Sequence, residues 1–129
     1  MKLGYVILYV PDVATTVTFY ERAFGLVRRF IHESGQYAEM DTGATALAFA
    51  SEDMVSTTYH GFRRNRLEDQ AAGAEVALVT NDVAKSFTRA VEAGAFPVVQ
   101  PIEKPWGQVI SYVRDSNGFL VEICSEVAS

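Results

Sequence analysis

A chain of 129 residues with 49% hydrophobic and 21% charged residues has the size and composition of one globular domain with a real core, which excludes a disordered segment. Its formal net charge of -5 excludes an electrostatic grip on nucleic acid or an anionic membrane, since both need clustered cationic surface. With Cys124 as the single cysteine, no charged leader before Leu3–Val10 and no bilayer-length apolar run, a soluble cytoplasmic chain is expected.

Tyr5–Val10, rich in β-branched and aromatic residues, reads as a strand halted by Pro11-Asp12. A helix follows, with Asp12 as its N-cap, Val13, Val17, Tyr20 and Phe24 at helical spacing, and Gly25 as its left-handed stop. Strands are predicted over Arg29–Glu33, Tyr37–Met40 and Thr45–Ala50, with turns at Ser34-Gly35-Gln36 and Asp41-Thr42-Gly43. The first module is thus βαβββ over about 3–50. Residues 51–73 lack periodicity and read as a connector. Within it Arg63-Arg64-Asn65-Arg66 is followed at once by Glu68 and Asp69, which describes a solvated, balanced stretch or, alternatively, an anion clamp at the mouth of a site.

The plan then starts again, over about 74–125. Glu75–Thr80 is strand-like, Asn81-Asp82 breaks it, a helix runs from Val83 to Ala93, and Gly94 stops it. Laying Tyr5 on Glu75 without a gap pairs Val6 with Val76, Leu8 with Leu78, Asp12 with Asp82, Val13 with Val83 and Ala23 with Ala93, as an internal duplication would. Strands at Pro97–Gln100, Gln108–Arg114 and Phe119–Ser125 complete the second module, the last two joined by Asp115-Ser116-Asn117-Gly118, whose Asn-Gly supplies the positive φ angles of a tight hairpin.

Period-two alternation sorts side chains onto faces. Val6, Leu8 and Val10 face the helix and leave Tyr5, Ile7 and Tyr9 on the other side. Leu47 and Phe49 likewise leave Ala46, Ala48 and Ala50, while Val121 and Ile123 leave Leu120, Glu122 and Cys124. Glu75 and Glu122 are therefore carboxylates in mostly apolar strands on one inferred face, which requires solvation, pairing or a bound ligand. Tyr5, Tyr9 and Trp106, the last in a Lys-Pro-Trp-Gly loop, offer aromatic faces to a planar or cationic ligand, or else fill core or interface volume. His32 and His60 are expected on the surface. Cys124 reads as a small buried hydrophobe with no histidine in register to activate it.

Val10-Pro11-Asp12-Val13 before Thr18-Phe19-Tyr20, and Val113-Arg114-Asp115-Ser116-Asn117-Gly118-Phe119-Leu120-Val121-Glu122, resemble the vicinal oxygen chelate superfamily of glyoxalases, bleomycin-resistance proteins and extradiol dioxygenases. The resemblance covers nearly the whole chain as one domain. It implies an α+β fold of two tandem βαβββ modules forming a curved mixed sheet with an open cleft and helices on the outer face. Metal-using members take ligands at positions that correspond here to Tyr5, Ala48, Glu75 and Glu122, of which only the two glutamates are good donors. No cofactor is therefore expected, with a divalent metal held by Glu75 and Glu122 as the alternative.

The leading functional expectation is a homodimer that binds or sequesters a bulky, cationic small molecule without metal, with Tyr5, Tyr9, Ala48, Glu75, Trp106 and Glu122 lining the site. The alternatives are a metal-dependent lyase, isomerase or dioxygenase using Glu75 and Glu122 catalytically, and an interaction domain without a small ligand.

Overall fold

In the computed structural model, residues 1–127 are described. The element order is β1 (Tyr5–Val10), α1 (Val13–Phe24), β2 (Val27–Ile31), β3 (Tyr37–Asp41), β4 (Ala46–Ser51), α2 (Glu52–Ser56), β5 (Glu75–Val79), α3 (Val83–Glu92), β6 (Phe96–Glu103), β7 (Val109–Arg114) and β8 (Leu120–Cys124). The tandem βαβββ plan and the α+β class are both present, as two four-stranded mixed sheets of order β1-β4-β3-β2 and β5-β8-β7-β6. The chain divides into two compact units between Asn65 and Arg66, inside the expected connector. Among the described residues no helix is long and apolar enough to cross a membrane.

In the first unit, the Asp12 side chain accepts from the Thr15 backbone N–H and starts α1, and Gly25 at φ 68° ends it. One face of α1 carries Val13, Val17, Tyr20 and Ala23 into the core, where Tyr20 meets Phe49 of β4 at 4.8 Å between ring centroids. Leu8, Val10, Ala38, Met40, Leu47 and Phe49 are buried with them. At about 1.5–3 kcal/mol per fully buried large apolar side chain, this layer dominates the unit's stability. The second unit repeats the scheme: Asp82 caps α3 through the Lys85 N–H, and Val83, Phe87 and Ala90 are buried alongside Val113, Val121 and Ile123.

Several boundaries differ from the sequence reading. The strand expected over 29–33 is Val27–Ile31, because the left-handed turn at Gly25 reverses the chain at once and a register shift between Arg28 and Phe30 accommodates the extra residue. The short strand expected over 97–100 runs from Phe96 to Glu103 despite Pro97 and Pro101. It lies at the edge of its sheet, where two register shifts let the prolines sit without a donor. The connector contains α2, five residues capped by Ser51 and too short to show periodicity.

The turn at 115–118 is also built differently. Among the described residues no non-glycine residue has positive φ, so Asn117 does not adopt the conformation expected of it, and in this turn Gly118 alone does, at φ 91°. The Asp115 carboxylate instead accepts from the Asn117 and Phe119 backbone N–H groups, both at 2.9 Å, and orders the turn from within. Gly118 is pressed against the connector backbone, where an added Cβ would come within 2.6 Å of Arg66 C and O and 2.7 Å of Leu67 N. Arg114 ties the same place down, donating to the carbonyls of Gly118, Leu67 and Arg66 at 2.9, 3.0 and 3.1 Å.

Gly118→Ala is therefore expected to lose about 2–4 kcal/mol, combining positive-φ strain with a backbone clash that no rotamer relieves. Gly35→Ala, with φ 72° but nothing within 4 Å, should lose only about 1 kcal/mol. Denaturant unfolding of both variants checks this, and equal losses would show that the contact with Arg66 and Leu67 carries no weight.

Candidate functional site

In each unit the helix covers one sheet face, and the register decides what stands on the other. In the first unit β1 and β4 run parallel with Tyr5 opposite Ala46, Ile7 opposite Ala48 and Tyr9 opposite Ala50. β3 sets Glu39 opposite Ala48 and Tyr37 opposite Ala50. In the second unit Glu75 stands opposite Leu120, Ala77 opposite Glu122 and Val79 opposite Cys124, with Tyr112 opposite Glu122 on the other side. Ala48 and Glu122 thus hold the same place in their modules, as do Tyr5 and Glu75.

Glu75 and Glu122 meet in the second unit. The Glu122 side chain is the hub of a hydrogen-bonded group formed with the Glu75 carboxyl, the Tyr112 phenol and the Cys124 thiol. Glu122 is only 8% exposed, whereas Glu75 is open to solvent. The hydrogen bond to Glu122, burial and the neighbouring charge push the Glu75 carboxyl up from 4.5 to about 7, because a second carboxylate in contact disfavours its ionised form. Burial first, then Glu122, pushes the Cys124 thiol up to about 11, so it stays protonated, as a buried inert cysteine does. The same causes raise the Tyr112 phenol.

Tyr5 and Ala48 occupy the matching places in the first unit but offer different chemistry. Tyr5 is exposed, and Ala48 is fully buried beneath its neighbours. Tyr9 packs edge to face against Phe62 of the connector at 4.8 Å, half-buried at one end of the face. Trp106 sits on the β6–β7 loop, 56% exposed, with its Nε1–H donating to Gln108 Oε1 at 3.0 Å and the Lys104 ammonium 5.5 Å from the ring centroid. The indole is held in place but is not core of this chain.

Sequence reasoning missed the polar centre of the first unit, Glu39, also 8% exposed. Its Oε1 accepts from Arg29 at 3.2 Å and its Oε2 from the Tyr37 hydroxyl at 2.9 Å. Burial and Glu39 push Tyr37 up to about 12, so the phenol remains a donor. The signal in the sequence is the period-two placing of Tyr37 and Glu39 on the face of Ala48.

His32, bound through Nδ1 to Ser34 Oγ at 2.8 Å, and His60 are both exposed. In the basic run, Arg64 lies 3.5 Å from the buried Glu52 and 5.6 Å from the Phe62 centroid, so that arginine is structurally engaged. A shallow depression of about 660 Å³ runs along α3 between Asp82 and Glu92 and contains none of the candidate residues.

The donor set does not suit zinc, iron or nickel, which favour imidazole or thiolate ligands. The positions matching the glutamate pair in the first unit hold a phenol and a methyl group. Among the described residues no group of three or more His, Cys, Asp and Glu side chains is arranged to hold a metal ion.

Comparison with known proteins agrees with this architecture. The family model described as "Glyoxalase/Bleomycin resistance protein/Dioxygenase superfamily" matches residues 2–123. The "Uncharacterized protein YraH" of Bacillus subtilis (strain 168) is 27% identical over 125 residues, covering 95% of this chain and 97% of its own. A glyoxalase-related enzyme from Fulvimarina pelagi superposes with TM-score 0.82 at 19% identity, over 98% of this chain and 88% of that one. TioX from Micromonospora sp. ML1 superposes with TM-score 0.72 at 25% identity, over 97% and 98%.

Two outcomes follow from the geometry. Glu75 binds its proton more tightly folded than unfolded, so the pair's contribution is fully present below about pH 4.5, its unperturbed value, and is lost as pH rises through about 7. Melting temperatures of Glu75→Gln and the parent should therefore agree near pH 4.5, with the variant more stable at pH 8; a parallel pH dependence in both proteins would contradict the raised Glu75 carboxyl. Trp106→Ala should change stability by less than about 1 kcal/mol, against about 3–5 for a buried aromatic, as read by thermal unfolding.

Proposed function

Because this chain belongs to the glyoxalase/bleomycin resistance/dioxygenase superfamily, whose fold carries several unrelated activities, its function must be read from its own side chains, and we propose that it binds a bulky organic cation without a metal. The observation that carries this reading is the Glu75–Glu122 pair, two carboxyl groups in contact, with the Glu75 proton held up to about 7 and no imidazole beside them. Loss of that proton leaves two adjacent negative charges, an arrangement that attracts a cation and is expensive without one. The chain's net charge of -5 acts in the same direction.

The functional unit in this reading is a homodimer. Val79, Phe96 and Ile102 in the second unit are exposed apolar side chains on the face that its helix leaves uncovered, a surface that a second copy can cover. Members of the superfamily are often dimers.

One observation favours the enzyme reading. A carboxyl poised at about 7 is where a general base works at neutral pH, so Glu75 would be the proton acceptor of a lyase or isomerase, with any metal held through Glu122.

Protein purified without chelator should carry no stoichiometric zinc, iron or nickel by elemental analysis. It should bind ethidium, a planar cation, more tightly than the anion fluorescein. Ethidium affinity should rise about tenfold between pH 6 and pH 8 as the Glu75 proton leaves, and this dependence should vanish in Glu75→Gln. One metal per chain, lost in Glu122→Gln, would establish the enzyme reading instead.

A further inference from the structure

The first unit contains a second polar centre, unlike Glu75–Glu122 in both chemistry and position. Down the middle of its open face β4 contributes only Ala46, Ala48 and Ala50, each at most 4% exposed. Methyl groups this short let taller neighbours lean inward. The result is an apolar carpet of Tyr5, Ile7 and Phe30, between 41% and 56% exposed, with the Glu39 side chain recessed among them at 10% exposure. Phe30 stands opposite Glu39 in the β2–β3 register, and its ring lies 6.1 Å from that of Tyr37. A recessed carboxylate ringed by aromatic side chains has the features that recognise an organic cation: one charge to meet the nitrogen and rings to meet the carbon skeleton.

That carboxylate already has a cation beside it, and the nature of this partner is informative. Arg29 is 40% exposed at its side chain and divides its donors among three acceptors: Glu39 Oε1 at 3.2 Å, Asp41 Oδ1 at 3.4 Å and the Gly43 carbonyl at 3.3 Å. These bonds are long for charge-assisted pairs, and none is the parallel two-bond fork of which a guanidinium is capable. The same chain supplies the comparison, since Arg28 makes that fork with Glu21 at 2.9 and 3.0 Å. Arg29 can therefore release Glu39 and keep two acceptors at the rim. Two carboxylates against one guanidinium also leave the cluster with one negative charge in excess.

We propose that the open face of the first unit is a binding site for a planar aromatic cation, with Glu39 as its anchor and Arg29 as a resident placeholder that the ligand's charged nitrogen displaces toward Asp41 and Gly43. This rests on the reading that the chain binds a small organic cation and adds to the Glu75–Glu122 pair a second site with its own exchange step. Tyr37 keeps its hydroxyl on Glu39 Oε2 and holds the carboxylate in place during the exchange.

The placeholder role separates this arrangement from a purely structural ion pair, because removing the two partners acts in opposite directions. Ethidium binding is followed at pH 6, where Glu75 keeps its proton, by fluorescence anisotropy on the full chain, with circular dichroism confirming that each variant is folded. Glu39→Gln should weaken binding at least about tenfold, equivalent to about 1.4 kcal/mol, whereas Arg29→Met, which removes the competing cation, should strengthen it about three- to tenfold. Glu92→Gln, on the solvent side of α3, should leave it unchanged. If Glu39→Gln does not fold, Arg29→Met decides alone: stronger binding supports the exchange and weaker or equal binding overturns it. Binding that survives Glu39→Gln but is lost in Glu75→Gln would place the cation in the second unit and overturn the proposal while leaving the broader function standing. A parent protein that binds neither ethidium nor fluorescein would overturn both.

Discussion

Each four-stranded sheet in this chain has two faces and one long helix to cover them. α1 buries one face through Val17, Tyr20 and Ala23 against Phe49 and Met40, and α3 does the same through Val83, Phe87 and Ala90. The opposite faces must then be tolerable to water, to a ligand or to another protein surface, so their composition is a matter of function more than of folding. The register makes this division strict, because a shift of one residue in any strand would exchange its two faces.

Within that constraint the duplicated modules have diverged at matching positions. The place held by Ala48 in one holds Glu122 in the other, and the place of Tyr5 holds Glu75. The near-buried carboxylate of the first unit is instead one strand over, at Glu39, opposite Ala48. Both units thus set one glutamate, 8% exposed, on the open face, but the first balances it with a guanidinium and a phenol and the second with another carboxyl, a phenol and a thiol. The first arrangement pairs its carboxylate with a cation and the second sets two carboxyl groups against each other. Two related scaffolds carry different electrostatics with little change to the backbone.

The connector is more constrained than its composition suggests. On the first-unit side Arg64 reaches Glu52 and Phe62 covers Tyr9; on the second-unit side Arg114 and Gly118 seize the backbone of Arg66 and Leu67. The boundary between the units falls between these anchors. The glycine of the 115–118 turn therefore serves close approach by another segment as much as the turn itself.

What the amino-acid order determined alone is the local and periodic part. The βαβββ repeat, the caps at Asp12, Gly25 and Asp82, the inward faces of β1, β4 and β8, and the common face of Glu75 and Glu122 in their strands all follow from spacing, since strand alternation and helix capping act over a few residues. Tertiary structure decided what depends on partners distant in sequence. Glu39 is a recessed carboxylate only because β2 brings Arg29 and Phe30 beside it and β4 places alanine opposite it. Tyr9 lies under Phe62, Ala48 lies beneath its neighbours, and Trp106 stands in solvent, because burial is set by which side chains arrive from other strands and loops. β6 continues through two prolines only because it lies at an edge of its sheet, where a missing N–H costs nothing.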